Sequence, residues 1–172
     1  LVTKGIADEL GLIDTNETKC TAEDYDLLDS LGRLETYTKL SMNDYRSLKD
    51  ADVVITAFGD IKALADGGNR FLEYSFNCQQ AKQVGTALKE AGFHGVLINI
   101  SNPCDVITGL LQHYTGLSRQ QVFGTGTFLD TARMQRAVSM SLDQNPHNIA
   151  GYVLGEHGES QFAAWSTITV QG

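Results

Sequence analysis

A chain of 172 residues is long enough for one domain with a real core, and 42% apolar with 20% charged residues is ordinary globular usage. With 13 Lys+Arg against 21 Asp+Glu the net charge is -8, the wrong sign for condensing onto nucleic acid or an anionic membrane, so neither partner is expected. No apolar run approaches the roughly 20 residues that span a bilayer, and Cys20, Cys78 and Cys104 are dispersed without zinc-like spacing. The composition predicts a cytoplasmic protein with reduced thiols and no metal.

Leu1 to Leu10 reads as the back half of an amphipathic helix, and a start without Met predicts a piece of a longer protein. Four short apolar or β-branched runs follow, Leu10 to Asp14, Asp52 to Phe58, Gly95 to Ser101 and Gln121 to Gly124, of the kind buried on both faces of a parallel sheet. Helix-period segments alternate with them. Thr21 to Leu34 is opened by a Thr cap, Arg70 to Ala91 is closed by Gly92, Asp105 to Tyr114 follows Pro103, and Thr127 to Leu142 completes the set. Asp60 to Asn69, with Gly67-Gly68, is the expected flexible connector. Tyr152-Val153-Leu154 reads as a strand, and Ser166 to Gln171 alternates like one that lacks a partner in sequence. The alternation predicts an α/β fold with a parallel sheet.

Chemistry concentrates in Gly155-Glu156-His157-Gly158 and Asp130-Thr131-Ala132-Arg133. An imidazole titrates near neutral pH and can exchange a proton with an alcohol or carbonyl. A buried carboxylate would hold its tautomer, and an arginine fork would grip a substrate carboxylate in two places. Asp130 and Arg133 stand three apart on one helix face, where a surface pair is common and contributes only about 0.2–0.5 kcal/mol. The apolar neighbours Phe128, Leu129 and Ala132 argue for a buried pair instead, which needs a reason. Asn102, held out of helical geometry by Pro103, stands at the carboxyl end of its strand, where ligands bind α/β sheets, although turn asparagines commonly bond their own backbone. Asp14 ends its strand where a dinucleotide fold places a ribose-binding acid; a simple strand-end cap reads equally well. No Gly-x-Gly-x-x-Gly loop follows any strand, so phosphate binding has no carrier in these residues.

Three motifs in one order, Ser101-Asn102-Pro103, Gly124 to Arg133 and Gly155 to Ser160, resemble the L-lactate/malate dehydrogenase family over nearly the whole chain. Gly92 to Leu97 and Thr131 to Val138 are most similar to its L-2-hydroxyisocaproate dehydrogenase branch. The resemblance implies a Rossmann-type doubly wound parallel sheet whose first strand and glycine loop are missing, with the start of a second, α+β substrate domain. Residues 1–126 would be the partial NAD-binding domain and 127–172 the beginning of the substrate domain. His157 would be the acid/base, Asp130 its orienting carboxylate, Arg133 the carboxylate clamp, and Asn102 a neighbour of both substrate carbonyl and cofactor. Arg70 would close over substrate and polarise its carbonyl, and Asp14 would bind the ribose of NAD.

By the same resemblance, hydride would pass between NAD(H) and C2 of a small 2-hydroxy or 2-oxo acid while His157 moves the proton. Malate readers carry an additional arginine in the loop before Arg70. Here Ile61, Ala63 and Leu64 offer apolar surface, which predicts a medium aliphatic side chain. L-lactate dehydrogenase acting on pyruvate and a noncatalytic binding or assembly domain are the alternatives. The complete protein is expected to be a homo-oligomer, dimer or tetramer.

Overall fold

The computed structural model describes residues 1–60 and 70–171, with side chains from Glu73 onward in the helix that begins at Arg70. The predicted connector residues Ile61, Ala63 and Leu64, and the side chain of Arg70, lie outside the described residues. The chain divides into two compact units, residues 1–51 with 90–94, and 52–89 with 95–172.

In the first unit the expected opening helix is instead a short 3-10 turn, Val2–Lys4, followed by strand β1 over Glu9–Leu12. Gly5 ends the turn at φ 57°, and a Cβ there would meet Thr36 Cγ2 at 2.5 Å, so the chain must reverse early. Helix α1, Glu17–Leu31, begins four residues before the predicted Thr21. Its cap is Asn16, whose side chain accepts from Lys19 N–H; Thr21 instead donates back to the Glu17 carbonyl, as a mid-helix threonine does. Strand β2, Lys39–Met42, pairs parallel with β1 and has no predicted counterpart: Lys-Leu-Ser-Met alternates polar and apolar, but over only four residues, the shortest run on which that period can be read.

In the second unit β3 (Val53–Thr56), β4 (Val96–Asn99) and β5 (Val122–Gly124) form a parallel sheet in that order. The register sets Thr56 beside Asn99 and Asn99 beside Gly124, so the last rung at the carboxyl edge is polar or bare. Helix α2 runs Arg70–Ala91 and helix α3 runs Cys104–Thr115, both as predicted to within a residue. Ala81, Gly85 and Leu88 line one face of α2 at helical spacing, and a Cβ on Gly85 would lie 2.7 Å from Tyr114 Cβ, so the two helices touch closely there. Leu97, Ile107 and Leu111 are fully buried and tie β4 to α3.

Helix α4, Phe128–Leu142, leads to two small antiparallel ladders. Strand β6 (Ile149–Ala150) pairs with β9 (Thr169–Val170), so the predicted final strand does have a partner within the chain. Strand β7 (Val153–Leu154) pairs with β8 (Phe162–Ala163). The observed architecture is the α/β fold with parallel sheets that the alternation predicts.

Helix α3 sits so near β5 that a Cβ on Gly124 would fall 2.5 Å from Cys104 Sγ and 2.6 Å from Thr108 Oγ1. Gly124→Ala is therefore expected to destabilise the protein by about 1–3 kcal/mol through overpacking, read as a lowered urea midpoint; an unchanged midpoint would show that α3 yields freely.

Candidate active site

The hairpin of β7 and β8 carries His157 at its tip, and α4 carries Asp130 in its first turn. Two threonines one helical turn apart bind these elements together. Thr127 Oγ1 donates to the Val153 carbonyl at 2.6 Å, and Val153 N–H donates to Thr131 Oγ1 at 3.0 Å. Both backbone groups of Val153 are thus held by side chains at the start of α4, its N-cap Thr127 and its first-turn Thr131. Gly155, at φ 97°, then turns the chain, and a Cβ there would press on the Ser160 carbonyl at 3.0 Å. Gly158 faces open space and needs no glycine for room.

His157 reaches Asp130, with Nδ1 2.5 Å from Oδ2. Arg133 Nη1 donates to the other oxygen, Oδ1, at 3.3 Å. The Asp130 side chain is only 8% exposed, whereas Arg133 is 59% exposed and His157 29%. Burial pushes the Asp130 carboxyl up, but the hydrogen bond and charge of His157, with those of Arg133, outweigh it and hold the group below its ordinary 3.8. The carboxylate therefore stays ionised between two positive or proton-bearing partners. With Nδ1 on Asp130, Nε2 is the imidazole atom left for proton transfer, and most of the Arg133 fork remains open to a ligand.

The expected apolar jacket around this pair is absent. Phe128 is 77% exposed and Leu129 51%, so the cover over Asp130 is the hairpin and the two threonine bonds rather than neighbours on its own helix. Thr127 and Thr131 escaped the sequence reading, although their i, i+4 spacing on the Asp130 helix was a readable signal.

Asn102 lies in the same unit, exposed in the turn from β4 to α3, after Ser101 and before the cis-linked Pro103. Its carbonyl accepts from Asn77 Nδ2 at 2.6 Å. Arg70 opens α2. Asp14 belongs to the first unit, just past β1, half-buried. Its N–H donates to Asn43 Oδ1 at 3.0 Å, and Asn43 N–H donates to the Leu12 carbonyl at 2.8 Å, with Asn43 at φ 49°. Asp14 Oδ1 accepts from Asn16 N–H at 2.9 Å, and Lys19 Nζ stands 3.9 Å from Oδ2, leaving the carboxylate at the strand's carboxyl end with spare acceptor capacity. The carboxylate thus caps the turn that follows its strand, through the bond from Asn16 N–H.

Residues 1–124 match the lactate/malate dehydrogenase NAD binding domain, and residues 127–172 match the alpha/beta C-terminal domain of the same family. L-lactate dehydrogenase 1 of Bifidobacterium longum is 38% identical over 172 residues, all of this chain and 54% of that protein. L-lactate dehydrogenase 3 of Bacillus cereus is also 38% identical over the same span. A crystal structure of the minor L-lactate dehydrogenase from Enterococcus mundtii, in the ligands-bound form, superposes with a TM-score of 0.92 at 36% identity, over 99% of this chain and 54% of that one. The chain thus spans about half the length of the relatives it matches. With its α/β fold and both domain matches in order, the chain belongs to the lactate/malate dehydrogenase family.

Proposed function

We propose that the complete protein is an NAD-dependent L-2-hydroxy acid dehydrogenase. The observation that carries this reading is the buried Asp130 carboxylate shared by His157 Nδ1 and Arg133 Nη1. It gives one side chain for a proton and one for a carboxylate, fixed against a common anchor. The NAD binding domain match supports the cofactor, and Asp14 fits its ribose, a carboxylate with spare acceptor capacity at the end of a parallel strand. Bound NAD would supply the hydride acceptor or donor at C2 of the substrate.

The chain's own residues do the rest. Arg133 pairs its open donors with the substrate carboxylate and so fixes C2 relative to the imidazole. His157 Nε2 takes the hydroxyl proton in oxidation and returns it in reduction, while Asp130 stabilises the resulting imidazolium at Nδ1. Asn102 is assigned a hydrogen bond to the substrate oxygen and a place beside the cofactor, and Arg70 the closing, polarising cation. Residues 1–126 serve the cofactor and 127–172 begin the substrate domain. The complete enzyme is assigned a cytoplasmic homo-oligomer, dimer or tetramer.

Pyruvate and L-lactate are the favoured substrate pair, because the relatives named above are L-lactate dehydrogenases. This displaces the hydroxyisocaproate preference drawn from short motif similarities. A bulkier aliphatic 2-oxo acid remains the second reading on one observation, the Ile61, Ala63 and Leu64 in the sequence before Arg70 and the lack of a further arginine there.

NADH oxidation by the full-length enzyme with pyruvate, 2-oxoisocaproate and oxaloacetate tests both levels. Turnover of the two monocarboxylates should exceed that of oxaloacetate, and His157→Asn should lose roughly 10²- to 10⁴-fold. Full activity in that variant would remove the histidine from its role. Arg133→Lys, which keeps charge but not the planar fork, should raise KM for the 2-oxo acid by at least about tenfold; an unchanged KM would exclude the clamp. Asp130 adds a pH signature. A carboxyl whose folded value is lowered stabilises the fold fully above its ordinary value and loses that contribution as pH falls through the folded one. The stability gap between wild type and Asp130→Asn, from urea unfolding, should therefore be level above about pH 5 and shrink steadily below about pH 4. A gap that widens on acidification would reverse the assignment.

A further inference from the structure

Asn77 of α2 and Asn99 at the end of β4 have no exposed surface, and both are aimed at the turn that carries Asn102. Burying a primary amide is costly unless its atoms find partners. Asn99 finds them on every side. Its Oδ1 accepts from Thr56 Oγ1 on β3 at 3.1 Å and from Ser101 N–H at 3.0 Å. Its Nδ2 stands 3.2 Å from the Ser101 carbonyl, 3.1 Å from the Cys104 carbonyl and 3.1 Å from Thr108 Oγ1. One side chain thus links the neighbouring strand, both backbone groups of Ser101 and the first turn of α3. Asn77 Nδ2 takes the next carbonyl along, that of Asn102, at 2.6 Å.

Sheet packing alone does not call for this amide, because the strand positions before it, Leu97 and Ile98, fill the layer with hydrocarbon. What the amide adds is a fixed position for a turn that leaves the sheet and has not yet entered the helix. That turn presents Asn102, exposed, at the carboxyl edge. We infer that Asn99, seconded by Asn77, is a positioning residue that sets Asn102 against the substrate. The inference rests on the role proposed above for Asn102. A small displacement of a substrate-contacting group is enough to lower turnover strongly, so the effect of losing the brace is kinetic as well as structural.

The test is a double-mutant cycle in the full-length enzyme, reading kcat/KM for the 2-oxo acid. Asn99→Val suits a strand and should lower kcat/KM roughly tenfold in the wild-type background. Introduced into Asn102→Ala, the same change should cost less than about twofold, because the group it positions is gone. Equal losses in the two backgrounds, or no loss in the first, overturn the inference and leave Asn99 a structural residue. Should Asn99→Val fail to fold, Asn77→Ala takes its place in the cycle under the same criteria. Asn102→Ala on its own separates the two levels: full turnover there refutes the role of Asn102, and with it this brace, whereas a loss there with an additive cycle refutes the brace alone.

Discussion

The Asp130 carboxylate is the constraint on which the candidate site depends. A charge this little exposed is sustained only by close partners, and it has one on each oxygen. Its demands reach beyond the pair, since the hairpin that brings His157 must be held on α4 firmly enough to cover a charge. Two threonine hydroxyls do this through the backbone of Val153, independently of which side chains the hairpin displays. Removing either partner of Asp130 leaves a buried anion undercompensated, which is why chemistry and stability are hard to separate at this position.

The candidate residues stand at element ends. Asn102 leaves a parallel strand, Asp130 and Arg133 open a helix, and His157 tips a hairpin, all within one compact unit. Asp14 stands at a strand end of the other unit. Regular elements provide rigid frames, and the residues just beyond their hydrogen-bonded cores are the ones free to face a ligand.

Much of this was readable in the sequence where a periodic signal was strong. Helices α2 and α3 and the sheet strands β3 to β5 announce themselves by apolar runs and flanking Gly or Pro. Strand β2 did not, because its alternation spans only four residues and its existence depends on pairing with β1. The start of α1 was misplaced because both Asn16 and Thr21 are competent caps, and only the tertiary position of β1 decides between them. The Asp130–Arg133 spacing and the glycines around His157 pointed to a site, yet the reason Asp130 is buried lay in a contact between two threonines and Val153; their i, i+4 spacing is local, but their partner more than 20 residues on is not. The buried Asn99 was hidden for the opposite reason: a single amide at the end of an apolar strand reads as the strand's end.

The last rung of the three-stranded sheet reaches further. Thr56, Asn99 and Gly124 stand side by side there, with Cys104 and Thr108 packed above them from α3. Each accommodates another: Gly124 leaves the room that Cys104 and Thr108 occupy, and Thr56 and Thr108 supply partners that let an amide sit between them. Such a set is epistatic. An aliphatic residue at position 99 is neutral only on a background in which the hydroxyls at 56 and 108 have also changed, and a larger residue at 124 only where 104 and 108 have shrunk. This corner of the fold can therefore drift in evolution only by concerted replacement, along a path narrower than its small, unremarked side chains imply.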